Sequence, residues 1–132
     1  MPRAERRRIS SGGPYEGRYG YSRAIVAGNA CWVSGTTDAG PDGRSLHPRD
    51  PGAQSRAILE IIEASLREAG FARQDVVRVR IFVTDMTASQ AVLDALGSRF
   101  AGIGPAATIV EVKGLIEPSL LVEIEADAVR DP

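Results

Sequence analysis

Cysteine, histidine and lysine are almost missing from this 132-residue chain: each occurs once, as Cys31, His47 and Lys113. A single cysteine excludes an internal disulfide, so cysteine usage carries no information on redox compartment. Cys31 stands in an apolar run beside Trp32 and reads as a small buried hydrophobe, not a nucleophile. One histidine excludes a multi-histidine metal site and leaves no basis for a histidine triad. Aromatics make up 5% and the net charge is −1, which argues against a nucleic-acid partner or an anionic membrane surface. No apolar run approaches the roughly 20 residues that span a bilayer. The opening MPRAERRRISSGG has arginines but no apolar segment after them; it does not read as a secretory signal, and a cytoplasmic location is expected. The glycines from Gly35 to Gly43 lack the lysine and serine or threonine of a phosphate loop.

What is present is an ordinary globular composition. Apolar residues are 43% and charged residues 25%, enough for one domain that buries its own core. Charge is uneven: Arg3, Arg6, Arg7 and Arg8 against Glu5 give +3 on the first eight residues, leaving −4 on the rest. Residues 1–9 are expected to form a flexible basic tail, and 10–132 a single domain.

Ser10 to Gly20 is rich in glycine, serine and proline and is expected to be loop. Tyr21 to Ser34 predicts a hairpin, two apolar runs around Ala27-Gly28-Asn29. Thr36 to Gly52 is a long polar loop, of the kind that is often functional or mobile. Asp50-Pro51 supplies an N-cap and a first-turn proline. Ile58, Ile61, Ile62 and Leu66 then form an apolar stripe at helical spacing, with Arg56, Glu60, Glu63 and Arg67 on the wet side. Gly70 ends that helix. From Val77 to Val83, valines and isoleucine alternate with Arg78 and Arg80, a strand period. A second helix is expected from about Ala88 to Phe100, buried through Val92, Leu96 and Phe100, and further strands over Ala107–Val112 and Leu120–Ala128. The order is β-β-α-β-α-β-β, an α+β two-layer sandwich with both helices on one face of the sheet.

Three strands carry charge at alternate positions: Arg78 and Arg80, Glu111 and Lys113, Glu123 and Glu125. Val77, Val79 and Ile81, Val110 and Val112, and Val122 and Ile124 occupy the other face, which meets the helices. From the residues alone, the charged face is either solvated, with pairs across strands, or covered by another copy of the chain.

Several segments carry a resemblance: Gly20-Tyr21-Ser22-Arg23-Ala24, Val33-Ser34-Gly35, Ala64 to Gly70 with Asp75-Val76-Val77, Val83-Thr84-Asp85, and Pro105 to Ala128, PAATIVEVKGLIEPSLLVEIEADA. In order and spacing they resemble the RidA/YjgF family of small enamine/imine deaminases. The resemblance implies the YjgF-like, chorismate mutase-like fold, a homotrimer with small-molecule clefts between subunits, and no cofactor or metal. It matches the family's cleft tyrosine to Tyr21, its serine-glycine pair to Ser34 and Gly35, and its water-positioning glutamate to Glu123. Two positions depart from the pattern. Ala107 stands where the deaminases carry a carboxylate-binding arginine, and Ile109 where they commonly carry cysteine. Alanine cannot supply the two parallel charge-assisted bonds of a guanidinium fork, so low activity on simple imino acids is expected. Arg23 and then Arg80 are candidate replacements, each with an alternative role in an ion pair. Glu123 is likewise either catalytic or one charge in the sheet-face network.

Overall fold

The computed structural model describes residues 5–131. Its elements are β1 (Arg6–Ile9), α1 (Pro14–Tyr19), β2 (Ala24–Ala27), β3 (Ala30–Thr36), α2 (Pro51–Ala69), β4 (Val76–Val83), α3 (Ser89–Phe100), β5 (Ala106–Glu111) and β6 (Val122–Val129). The strands form one sheet in the order β1-β2-β3-β6-β4-β5. All neighbours are antiparallel except β4 and β5, which run parallel and are joined through α3. The fold is α+β, as expected, with α2 lying across the sheet and α3 beside it.

The hairpin forms because Ala27 pairs with Ala30, and Gly28 takes the φ of 59° that the two-residue turn demands of its first central residue. Helix α2 begins where Asp50 caps it, the carboxylate accepting from Ala53 N at 3.0 Å, and stops at Gly70 in the left-handed region. Its Ile58, Leu59, Ile62 and Leu66 meet Val79, Ile81, Ile124 and Ala126 from the sheet and Val92 and Phe100 from α3 in one buried cluster. Fully burying a Leu- or Ile-sized side chain contributes about 1.5–3 kcal/mol.

Five expectations need correction. Arg6–Ile9 is not loose: it pairs with β2, Ile9 is buried, and Arg7 donates to Ala69 O at 2.6 Å. Residues 1–4 of the expected tail lie outside the described residues. The Ser10–Gly20 segment contains α1, opened by Pro14 and closed by Gly20 at φ 78°. Val77 is exposed, because a bulge between Val76 and Arg78 turns it out of the apolar face. Glu63 is buried rather than wet, its carboxylate meeting Arg99 and, at 3.3 Å, Arg73. Glu111 is partnered with Val83 in the parallel register, so it shares the helix-side face with Ile109 and not the face of Arg80 and Glu123. There it accepts from Met86 N at 2.8 Å.

The long loop after β3 is pinned. The buried Asp38 carboxylate accepts from Ser45 Oγ at 2.8 Å and His47 N at 3.1 Å, with His47 Nδ1 also at 3.1 Å. Buried Gln54 donates to His47 O and Ser119 O and accepts from Leu121 N. These bonds, with Ser45 N donating to Ser119 Oγ at 2.9 Å, tie the loop to the segment before β6.

Candidate functional site

The site is organised by an irregularity in β3. Val33 pairs with Ala126 and Thr36 with Ile124, so three steps of β3 face two of β6. Ser34 and Gly35 together lie opposite Glu125, a bulge that bends the strand and re-aims its side chains. The bulge is braced from β2's leading segment. Ser34 Oγ donates to Ser22 O at 2.6 Å and Ser34 N to Arg23 O at 3.0 Å. Arg23 reaches back, its Nη2 donating to Ser34 O at 2.6 Å and to Thr36 Oγ1. Thr36 Oγ1 in turn donates to Ser34 O at 2.7 Å.

Gly35 permits a close approach. A Cβ at this position would sit 2.9 Å from Glu123 Oε2 and 3.0 Å from its Cδ, inside van der Waals contact. The Glu123 carboxylate therefore lies directly over the bulge. Among the described residues it takes no hydrogen bond and no ion pair. Burial pushes its pKa up, the neighbouring Glu125 charge pushes the same way, and Arg23 opposes both. Burial lowers the pKa of Arg23 in turn, against Glu16, Tyr21 and Glu123; a guanidinium stays charged at neutral pH regardless. Its Nε is buried without a partner.

A cavity of about 660 Å³ opens here, lined by Tyr21, Arg23, Ser34, Gly35 and Glu123 together with Tyr15, Glu16 and Ile116. Five of the eight sequence-derived candidates thus meet in one place. Tyr21 is set there by α1's ending: Gly20 N and Tyr21 N both donate to Glu16 O, at 2.8 and 3.0 Å. Glu16 is 8% exposed. Burial works against its charge, but bonds from Ser11 Oγ and Ser11 N prevail and hold its pKa below the ordinary value.

Ala107 and Ile109 are not in this cavity. They stand on β5, at the far edge of the sheet, with β4 between them and β6. Their partners are Val79 and Ile81, on the face opposite to Phe82 and Glu123. Arg80 engages Glu125 Oε1 at 3.2 Å and Asp127 Oδ2 at 3.4 Å, the ion-pair alternative given for it above. Burial pushes the Cys31 thiol up, as befits a core residue. Sequence reading passed over Glu16, Tyr15 and Ile116. The pairing of Pro14 with Gly20 is a helix start and stop that would have located the first two; Ile116 carries no comparable signal.

Residues 15–130 match the family model described as Endoribonuclease L-PSP. A Mycobacterium tuberculosis structure described as a member of the YjgF/YER057c/UK114 family is 43% identical, with a TM-score of 0.86 over 96% of this chain and all of that one. The chain belongs to the RidA/YjgF family. Two other family members agree. A Rid-family protein of Yersinia pestis is 33% identical with a TM-score of 0.81, covering 96% of this chain and all of the other. A RutC-family protein of Pyrococcus horikoshii is 33% identical over 111 residues, 84% of this chain and 87% of its own. Within this RidA/YjgF member, no helix among the described residues is long and apolar enough to cross a membrane.

Proposed function

We propose that this RidA/YjgF chain is a cytoplasmic homotrimer that binds a small metabolite at Glu123 and hydrolyses an imine- or enamine-type bond there. One observation supports this above the others: a half-buried carboxylate, free of protein hydrogen bonds and with a raised pKa, faces a cavity. Such a group is a stronger proton acceptor than an ordinary carboxylate and can take a proton from water and return it. In the reading, Glu123 accepts a proton as water adds to the C=N carbon and passes it to the nitrogen, giving a carbinolamine; it then takes the hydroxyl proton and delivers it to the nitrogen as the C–N bond breaks and the C=O bond forms, leaving a carbonyl compound and an amine. Tyr21 and Ser34 border the reacting centre. The edge strand β5 of a neighbouring copy, with Ala107 and Ile109, closes the cleft from outside, which explains why one chain leaves those two residues apart from Glu123.

Ala107 removes the fork that would hold a substrate carboxylate, a loss of about 2–5 kcal/mol where the charge is desolvated. Simple imino acids are therefore poor substrates. The same alanine favours a second reading, a trimer that binds a metabolite without turnover. The carboxylates at the cleft disfavour a polyanionic substrate such as RNA.

Freshly generated 2-iminopropanoate and uncharged imines should be offered to the purified protein and their decay followed against the uncatalysed rate. Hydrolysis of uncharged imines that Glu123→Gln abolishes, with little action on 2-iminopropanoate, is expected. Ala107→Arg, at an exposed position, should raise the imino-acid rate. No acceleration of any imine by the folded protein would overturn the hydrolytic reading in favour of binding alone. Light scattering is expected to return about three times the 14.0 kDa chain mass, and a monomer would remove the intersubunit cleft.

A further inference from the structure

The Glu123 cavity does not end at Glu123. Through Gly13, Tyr15, Tyr21, Ala39 and Ile116 it runs into a second hollow, which adds Pro41, Leu46 and Glu117. This outer hollow is apolar and its largest side chains are left bare: Tyr15 is 56% exposed, Leu46 64% and Ile116 94%. The backbone of Leu46 is held there, its N donating to Asp38 O at 3.3 Å and the next residue, His47, bonded to Asp38 and Gln54. The charge of the combined cavity is also one-sided. Glu16, Glu123 and Glu117 contribute carboxylates, against the single guanidinium of Arg23, whose Nη2 is already committed to Ser34 and Thr36.

We propose that the ligand carries a neutral or cationic nitrogen at its Glu123 end and an apolar, aryl-sized tail that lies on Tyr15, Leu46 and Ile116. This rests on the reading of Glu123 as the ligand-binding centre and adds the substrate class. A carboxylate at the head would meet the Glu16 and Glu123 carboxylates at the wall of the inner cavity; an amine or iminium is attracted to them. The tail removes contiguous exposed apolar surface from water, and a surface of this kind beside a polar centre marks a ligand site.

Phenethylamine, ethylamine and phenylacetate distinguish the two halves of the proposal without requiring turnover. Each is titrated into the intact protein and amide shifts are followed by NMR. Phenethylamine should bind at least about tenfold more tightly than ethylamine, the worth of burying roughly two methylene-sized units or more, and should shift the Leu46 and Ile116 amides. It should also exceed phenylacetate by about tenfold. Leu46→Ser, at an exposed position that lines only the outer hollow and where the fold tolerates change, should weaken phenethylamine several-fold and leave ethylamine unaltered; Ile116→Ser, which lines both hollows, should weaken phenethylamine more than ethylamine. Equal affinity for amine and carboxylate overturns the assignment of the head; equal affinity for phenethylamine and ethylamine overturns the tail. If Ile116→Ser instead lowers the assembly mass and spares binding, the patch is covered by a second copy and the proposal fails. Aryl-amine binding with no hydrolysis of any imine would defeat the catalytic reading alone; hydrolysis indifferent to the tail would defeat only this one.

Discussion

Gly35→Ala separates the position of Glu123 from its chemistry. Gly35 does not have a positive φ, so alanine fits the backbone, and the replacement removes conformational freedom from the unfolded chain, worth about 0.4–1 kcal/mol in favour of folding. Against this stands the new Cβ, 2.9 Å from Glu123 Oε2, where ordinary contact begins at 3.4 Å. The carboxylate must retreat by at least the difference, 0.5 Å. It is the end of a flexible side chain, so it can rotate away at small cost to the fold. The stability change should therefore stay within about 1 kcal/mol. Catalysis tolerates displacement far less well: misplacing a reacting group by about 1 Å can cost about 100-fold. Turnover of an uncharged imine should fall by about 10- to 100-fold, and the double variant with Glu123→Gln should be no less active than Glu123→Gln alone, because both changes act on one function. A crystal structure of the variant and a thermal melt complete the test. A Gly35→Ala protein with normal turnover and an unmoved Glu123 would refute the positioning role of the bulge.

Glu123 also has a signature in stability. Its pKa is raised in the fold by burial and by Glu125, so its contribution is fully present below the unfolded value of about 4.3 and is lost as pH rises through the higher folded value. Glu123→Gln should melt above the parent at pH 7 and converge with it near about pH 4; a variant that melts lower at pH 7 would contradict the assigned cause. Removing residues 1–8 deletes three of the four β1 residues and the Arg7 bond to Ala69. It should lower stability by about 1–3 kcal/mol, read by urea unfolding, and an unchanged midpoint would show that β1 adds nothing.

How legible each part was depended on whether its signal was local. The hairpin and α2 announce themselves through Gly28-Asn29 and through Asp50-Pro51 with Gly70, residues whose backbone chemistry admits few alternatives. The first strand does not: it has one apolar residue, Ile9, and is held by pairing with β2 and a bond from Arg7, both supplied by distant chain. Alternation placed β4 correctly except at Val77, since a bulge is a property of the pairing with β6 and not of β4 itself. The face of Glu111 was misread for a similar reason, because side-chain sidedness on β5 follows the parallel register to β4. At the site, Tyr21, Ser34, Gly35 and Glu123 were nameable through family resemblance, and Arg23 as a candidate replacement for the arginine missing at Ala107. The convergence of Ile116 and Leu46 with them was not, as it depends on a buried aspartate and glutamine tying two loops together.

The position of β6 has a consequence for the order of assembly. It follows every other strand in the chain, yet it lies third from one edge of the sheet and joins β3 to β4. Until it arrives, β1, β2 and β3 form one unit and β4 with β5 another, with no ladder between them. Each unit exposes an open edge of unpaired backbone groups, the geometry that invites pairing with foreign chains. The strand that closes this gap also carries Glu123, so the sheet and its candidate catalytic group are completed together. Folding that stalls before β6 pairs yields two sticky half-sheets, with Ser34 and Gly35 on an open edge and neither the β3–β6 bulge nor Glu123 in place.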